Sequence, residues 1–256
     1  MNIGRISWGA VTIIVLVMAV SSTALALDLD DPNLFGPGEA WPTPAAIDYG
    51  DSGPWVGRLQ QELTDAGFRP GRIDGHYGPA TRGAVYAFQK VHALDRDAIF
   101  RAIDWDLLAE PVALDPVDSE PDRVEVDLGK QVLYLIVDNS VEAVLPVSSG
   151  SGASYRGRGG ATFRATTPEG SYSFYRHVNG WRISYLGGLY DPFYFRGGYA
   201  IHGSSSVPPF PASHGCVRVE IQDMDWLSAH LRLGMPVHVY GNTVTRADVV
   251  PTGTST

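Results

Sequence analysis

Apolar residues recur at helical spacing in two stretches of the first half of the chain. The first stretch is followed by Gly67, a helix stop, and the second begins at Pro79, a favoured first-turn residue. The apolar positions are Val56, Leu59, Leu63 and Ala66 in the first stretch and Ala84, Val85 and Phe88 in the second. A third group of apolar residues is expected to complete the core between these two helices: Trp105, Leu107 and Leu108. This pattern predicts a small three-helix module over residues 51–110.

From residue 122 the helical pattern gives way to strands. Alternating Val124, Val126 and Leu128 are followed by two apolar runs, residues 132–137 and 141–147, with turn residues between them. An antiparallel meander is the simplest arrangement of three such strands. The whole of 122–242 is therefore expected to be mainly β.

The rest of this region mixes predicted loops, strands and one helix. Residues 150–160 contain five glycines and predict a loop. Ten of the 28 residues from Tyr172 to Tyr199 are aromatic and predict core. Gly187-Gly188 and Arg196-Gly197-Gly198 bracket a part too irregular to be all strand, so we expect it to line or cover a cleft, with Tyr185 as a wall residue. A helix over 221–233 and a last strand over 236–240 follow.

Composition and charge narrow the possible functions. The chain has 256 residues, with 28 acidic and 19 basic residues and a net charge of -9, so it lacks the electrostatic footprint of a nucleic-acid-binding protein. Proline-rich, acidic stretches without periodicity predict linkers at 27–50 and 111–121. The polar residues 243–256 predict a disordered tail.

The N-terminal residues 1–26 have the pattern of a signal peptide. Arg5 supplies the positive charge, residues 8–20 are an apolar run, and residues 24–26 form a small-x-small cleavage site. The alternative is an uncleaved membrane anchor, because residues 6–27 contain no charge over a length that spans a bilayer. Either form predicts an exported protein.

Cys216 is the only cysteine of the chain and lies close in sequence to His202 and His214. An unpaired thiol in an exported protein is a liability that usually has a use, and a neighbouring imidazole that takes or holds the proton moves the thiol pKa toward neutrality. The residues therefore predict a cysteine nucleophile. Spacing leaves open which histidine is the base.

The residues around Cys216 predict how a substrate is held. Ser213, His214 and Gly215 form a tight segment in which backbone N–H groups can converge on an oxyanion. Residues 217–219 alternate like a strand, so Cys216 and Arg218 face the same side. Arg218 is then placed to bind a substrate carboxylate.

The Ile-His-Gly of 201–203 followed by the Ser-His-Gly-Cys-Val-Arg of 213–218 resembles the signature of the L,D-transpeptidase catalytic domain, a bacterial cell-wall enzyme. The resemblance runs from about Arg123 to Gly241. It implies that Cys216 is the nucleophile, that His202 is the base held by the carbonyl of Gly203, and that N–H groups of the 214–216 loop form the oxyanion hole. Thr167-Pro168-Glu169-Gly170 also resembles a structural element of that family.

This resemblance implies the reaction and the inhibitors. A thioester forms with a peptidoglycan tetrapeptide stem, D-alanine leaves, and the acyl group passes to an amine of another stem, which cross-links the wall. No cofactor is implied. Carbapenem-type inhibitors are expected to acylate the cysteine. The expected location is the cell wall or the periplasmic side of the cytoplasmic membrane, with membrane attachment only if the signal is uncleaved.

The helical module resembles the three-helix peptidoglycan-binding domain often attached to wall enzymes. The residues that carry the resemblance are Leu59-Gln60, Asp74-Gly75, Tyr77-Gly78, Thr81 and Phe88-Gln89. The predicted fold class is thus multidomain α + β: a three-helix module followed by a sandwich-like β domain with one late helix. Stem peptides and glycan are the expected partners.

Three other functions remain open from the residues. Hydrolysis of the thioester would make the protein an L,D-carboxypeptidase. Zinc bound by His202, His214 and Cys216 would make it a zinc peptidase, although His-x-Cys is an unusual ligand pair. A non-catalytic peptidoglycan-binding protein is the third. Iodoacetamide and a chelator separate the cysteine transpeptidase from the zinc enzyme, because only the cysteine enzyme is inactivated by alkylation and unaffected by chelation.

Overall fold

The computed structural model describes residues 43–110 and 120–242. The predicted segments that lie wholly or mostly outside them are the signal peptide (1–26), the two linkers (27–50 and 111–121) and the tail (243–256). Within the described ranges, no helix is long and apolar enough to cross a membrane.

The N-terminal module contains three helices and a small sheet. Its elements are β1 (Ala46–Ile47), α1 (Pro54–Asp65), α2 (Pro79–Val91), β2 (Phe100–Arg101) and α3 (Asp104–Leu108). β1 pairs with β2, and Ile47 is buried in the module's core. The folded module therefore begins before the predicted boundary at residue 51, because a strand of two residues is too short to show a period in sequence.

The two longer helices form where the pattern predicts them. Pro54 and Pro79 occupy the first turns, where a missing N–H leaves no hydrogen bond unmade. Gly67 follows α1 with a φ of +84°, a conformation that glycine adopts without strain. The predicted apolar faces are confirmed as buried at Val56, Leu59, Leu63, Ala84, Val85, Phe88 and Leu108.

Two buried glutamines explain the motif of this module. The amide of Gln60 donates to Asp74 Oδ1, to the His76 carbonyl and to Thr81 Oγ1, each at 3.0 Å. Its carbonyl accepts from the N–H groups of Asp74 and Gly75. Gln89 binds the loop before β2 in the same way. Both glutamines therefore hold loops to helices, which is a structural role.

The C-terminal module is mainly β. Its elements are β3 (Arg123–Asp127), β4 (Val132–Val137), β5 (Ser140–Pro146), β6 (Ser154–Arg156), β7 (Thr162–Arg164), β8 (Gly170–Ser173), β9 (Arg176–His177), β10 (Trp181–Ser184), β11 (Gly187–Arg196), β12 (Tyr199–Ser204), β13 (Val217–Glu220), α4 (Ile221–Ser228) and β14 (Pro236–Tyr240). One five-stranded sheet has the order β5-β4-β3-β14-β8 and contains the predicted meander. The other has the order β10-β11-β12-β13, with β9 also paired to β11. Both sheets contribute to one apolar core.

Three predictions about this module need correction. The residues after Gly187 form one strand, β11, whose register shifts absorb the irregularity. The predicted loop at 150–160 contains β6, which pairs with β7. The late helix α4 ends at Ser228, before the predicted residue 233, and Gly234 follows with a φ of +85°.

The helical module packs on the outer face of the first sheet. Along β4, Leu133 and Leu135 belong to the sandwich core, whereas Val132, Tyr134 and Ile136 belong to the core of the helical module. Successive residues of a strand face opposite sides of the sheet, so β4 is buried on both faces. This explains why its sequence is one continuous apolar run. The two modules thus share the first sheet as a common layer.

Polar contacts also cross between the modules. The backbone N–H of Val144 donates to the Gly67 carbonyl at 2.9 Å. Lys90 of α2 is 1% exposed, and its Nζ donates to the Val147 carbonyl at 2.8 Å. Arg96 donates to the Pro209 carbonyl at 3.0 Å. The helical module therefore contacts the end of β5 and the loop that precedes Cys216.

Candidate active site

His202 lies on β12, and Cys216 directly precedes the neighbouring parallel strand β13. β12 and β13 pair with Ile201 opposite Val217 and His202 opposite Arg218. Because Ile201 and Val217 are fully buried in the sandwich core, the alternate residues project to the opposite face, where His202, Cys216 and Arg218 line one cleft. The predicted shared face of Cys216 and Arg218 is confirmed, and the fold adds His202 to it.

His202 is buried, and one backbone carbonyl fixes its ring. Its Nδ1 lies 2.8 Å from the Gly203 carbonyl oxygen. A carbonyl only accepts hydrogen bonds, so Nδ1 carries the hydrogen and Nε2 is the free basic nitrogen. Burial lowers the pKa of His202 to about 4; the Gly203 hydrogen bond opposes this shift, and Arg218 adds to it. The imidazole is therefore neutral at neutral pH and able to accept a proton.

Gly203 has no room for a side chain. A Cβ at this position would lie 2.9 Å from Cδ1 of Tyr190 and 3.0 Å from Cβ of Met224. Both neighbours come from elements packed on β12, namely β11 and α4. A larger residue would therefore displace the carbonyl that orients His202.

The thiol of Cys216 lies among apolar groups at the base of the cleft. The residue is partly accessible and packs with Leu189, Tyr194 and Ala200, and its Sγ is 3.7 Å from the Gly198 carbonyl oxygen. Burial raises the pKa of the Cys216 thiol, although the Ala200 backbone and Arg218 act in the opposite direction. This corrects the prediction that the neighbouring imidazole lowers the thiol pKa. Burial thus favours the neutral thiol of Cys216 and the neutral imidazole of His202, which line the same cleft.

Ser213 closes the turn that carries Cys216. Its Oγ donates to the Cys216 carbonyl at 2.5 Å and accepts from the N–H of Gly215 at 2.9 Å. Gly215 has a φ of +132°, and a Cβ there would lie 2.6 Å from Cε1 of Tyr199. Since the Gly215 N–H is bound to Ser213, the prediction that it serves an oxyanion hole is corrected. The N–H groups of His214 and Cys216 are the candidates that remain.

Thr167 anchors the turn from the opposite side. Its buried hydroxyl accepts from the N–H of Gly150 at 2.9 Å and donates to the Gly215 carbonyl at 2.8 Å. This contact gives a physical reason for the Thr-Pro-x-Gly element, which sequence reasoning could only describe as structural.

Ser149 and Gln131 form a second support that the sequence did not indicate. Gln131 donates to Ser149 Oγ at 2.7 Å and accepts from the Ser149 N–H at 2.9 Å. The Ser149 carbonyl in turn accepts from the N–H groups of Ala212 and Ser213. Gln131 is fully buried and has a φ of +64°. A lone glutamine in a turn is typical of a surface residue, so no signal was available to find it.

The cleft has a volume of about 780 Å³, and its lining also includes the predicted residues Tyr185, Ser213 and His214. Tyr185 lines it and is 66% exposed, at the tip of the β10–β11 hairpin. His214 stands edge-on to Tyr155, with 4.8 Å between ring centroids, and its pKa is lowered by burial and by Arg218. The part of Tyr185 in substrate binding and the part of His214 in the oxyanion loop stay predictions.

The zinc alternative needs three side chains arranged around one ion. Within residues 43–110 and 120–242, no group of three or more histidine, cysteine or carboxylate side chains is arranged to hold a metal ion. His202, His214 and Cys216 line one cleft without forming such a group.

Comparison with known proteins identifies both modules. Residues 121–239 match the model of the L,D-transpeptidase catalytic domain, and residues 52–100 match that of a peptidoglycan binding domain. No match is found among curated proteins.

Among solved structures, the chain is similar to an L,D-transpeptidase from Xylanimonas cellulosilytica, with 42% identity and a TM-score of 0.72; the match covers 78% of this chain and all of that one. An L,D-transpeptidase from Stackebrandtia nassauensis matches with 23% identity and a TM-score of 0.48 over 79% of this chain and 98% of that one.

Proposed function

The chain belongs to the L,D-transpeptidase family and is an enzyme of the acyltransferase class; we propose that Cys216 is its nucleophile and His202 its general base. Cysteine chemistry is the general mechanism of this family. The observation that carries the assignment is the pairing of β12 with β13, which places both side chains in one cleft while the Gly203 carbonyl leaves His202 Nε2 free.

Acylation begins from the neutral pair. Nε2 of His202 takes the proton of the Cys216 thiol as the sulfur attacks the carbonyl carbon between the third residue of the donor stem and its terminal D-alanine. The N–H groups of His214 and Cys216 bind the oxyanion that develops. Collapse breaks the C–N bond, His202 returns the proton to the leaving amine, and a thioester and free D-alanine result.

In the transfer step Cys216 changes from nucleophile to leaving group. The amine of a second stem attacks the thioester carbon, His202 takes its proton, and collapse restores the thiol as the cross-link forms. The neutral state of His202 suits both steps, because each begins with removal of a proton. Water as the acceptor would give the carboxypeptidase reaction.

Mass spectrometry of the intact protein tests this assignment directly. After incubation with a disaccharide-tetrapeptide, we expect an acyl adduct that maps to Cys216 and is absent from Cys216→Ala. His202→Ala should lower the acylation rate about 10²–10⁴-fold, and His214→Ala should lower it less. An adduct on another residue, or a His202→Ala protein of normal activity, would refute the assignment.

The cleft chemistry also supports covalent inhibition. A β-lactam carbonyl presents the same electrophile to Cys216 as the stem peptide bond, and ring opening leaves an acyl-enzyme. We therefore infer that a carbapenem forms an adduct with the mass of the intact inhibitor on Cys216. Equal labelling of Cys216→Ala would contradict this.

Export and wall attachment complete the proposal. Arg5, the apolar residues 8–20 and the cleavage site at 24–26 support secretion to the outer side of the cytoplasmic membrane. The match of residues 52–100 to a peptidoglycan binding domain supports retention at the wall. N-terminal sequencing of the protein from its native envelope tests the first part: a chain that starts at Leu27 confirms cleavage, and one that starts at Met1 refutes it.

A further inference from the structure

The cleft around Cys216 is strongly basic in an acidic protein. Its described lining contains four arginines, Arg158, Arg176, Arg182 and Arg218, and no aspartate or glutamate. The chain as a whole carries 28 acidic and 19 basic residues. A one-signed lining of this kind focuses the field within a cleft and attracts ligands of opposite charge.

These arginines have no carboxylate partners among residues 43–110 and 120–242. The arginine ion pairs of the described residues involve Arg58, Arg101, Arg123 and Arg232, none of which lines the cleft. Of the cleft arginines, Arg158 and Arg182 are exposed to solvent, and the guanidinium carbon of Arg176 lies 5.1 Å from the centroid of the Tyr194 ring. Arginine stays protonated at all physiological pH values, so the cleft keeps its positive charge.

The arginines come from separate walls. Arg218 lies two residues from Cys216 on β13, Arg176 and Arg182 lie on β9 and β10, and Arg158 lies in the turn between β6 and β7. A single carboxylate at the reacting residue would engage Arg218 and leave the other three unused. Several carboxylates spaced along an extended peptide would match the arrangement.

We propose that Arg158, Arg176 and Arg182 select donor stems that carry free carboxylates away from the reacting bond, and discriminate against stems in which those groups are carboxamides. This inference rests on the proposed function, since it concerns the donor of the same acyl transfer. A guanidinium binds a carboxylate through two charge-assisted hydrogen bonds, whereas a carboxamide offers no charge and only one acceptor oxygen.

Paired synthetic donors test the selectivity. Two tetrapeptides differ only in whether the second residue carries a carboxylate or a carboxamide, and acylation of Cys216 by each is followed by intact-protein mass spectrometry. We expect kcat/KM to be about 10-fold higher for the carboxylate donor, the size of one favourable charged contact, with most of the difference in KM. Raising the salt from about 0.05 M to about 0.5 M should reduce the preference.

Arginine variants locate the contact. Arg158→Gln, Arg176→Gln and Arg182→Gln keep length and polarity but remove the charge, and at least one should bring the ratio of the two kcat/KM values close to one. Arg72→Gln removes an exposed charge of the helical module and should leave the ratio unchanged.

Equal use of both donors by the wild type overturns this inference while the proposed function stands. So does a ratio that survives in all three variants. No adduct on Cys216 from either donor overturns the proposed function and this inference with it.

Discussion

The hydroxyl of Thr167 provides the most direct test of how the catalytic turn is held. Thr167→Val keeps the shape of the side chain and removes its one polar atom. The N–H of Gly150 and the carbonyl of Gly215 would each lose their Thr167 hydrogen bond inside the protein. A buried backbone group left unpaired costs about 1–3 kcal/mol, so the pair costs about 2–6 kcal/mol. For a protein of this size that predicts a fall in Tm of at least about 4 °C.

Activity should fall as well, because Gly215 sits directly before the nucleophile. We expect Thr167→Val to lower the rate of Cys216 acylation more than about 10-fold at a temperature where the variant is fully folded. Thr166→Val is the matched control, since that side chain is exposed. Thermal unfolding and intact-protein mass spectrometry measure the two effects. A Tm within about 1 °C of the wild type, or equal losses in both variants, would refute the reasoning.

Three further predictions follow from buried polar groups. Gln60→Leu should destabilise the helical module by about 3 kcal/mol or more in chemical unfolding, because several buried hydrogen bonds are lost, whereas Gln61→Leu on the outer face should cost far less. Since the pKa of His202 is about 4, kcat/KM should stay constant on acidification until near that pH, and a fall centred near 6.5 would contradict a neutral base. Burial lowers the pKa of Lys90, so the unfolded chain binds a proton that the native chain releases. The free energy of unfolding should therefore rise with pH up to about 10. Lys90→Met should flatten this rise in unfolding curves measured at several pH values.

The elements that sequence reasoning found are those whose signals are local. Pro54, Pro79 and Gly67 mark helix ends by their own backbone restrictions, and the first two helices lie where these residues predict. The signature at 213–218 likewise lies on one short segment. Each of these depends on residues close together in the chain.

The long strand β11 was missed even though it pairs with its neighbours in the chain, β10 and β12. Glycine pairs favour loops when considered alone, but a Cβ at Gly188 would lie 3.1 Å from the Trp181 ring across the hairpin. The indole therefore packs closely against Gly188, and a side chain there would require the ring to shift. The irregular step falls at Asp191, which has a φ of +50° within a register shift between β11 and β12.

The burial of Lys90 was missed because the residues that cover it lie far away in the chain. A lysine near the end of an amphipathic helix is typical of a solvated face, and the residue becomes buried only because the first sheet of the other module covers it. The apolar run of β4 carried the matching signal, since a strand apolar at every position is buried on both faces. The position of Lys90 on α2 and the apolar run of β4, taken together, would have predicted that the helical module packs on that sheet.

The electrostatics of the site follow from the same packing. A cysteine beside a histidine in sequence predicts an activated thiolate, yet burial in the folded cleft favours the uncharged form of each group, and at His202 it outweighs the opposing hydrogen bond to the Gly203 carbonyl. Charge then separates only when a carbonyl substrate provides an oxyanion for the turn at 213–216 to bind. An enzyme arranged in this way reacts slowly with iodoacetamide at neutral pH, because that reagent offers no developing oxyanion, and its alkylation rate should continue to increase with pH above 9. An alkylation rate that is already at its plateau near pH 7 would show instead that a preformed ion pair exists.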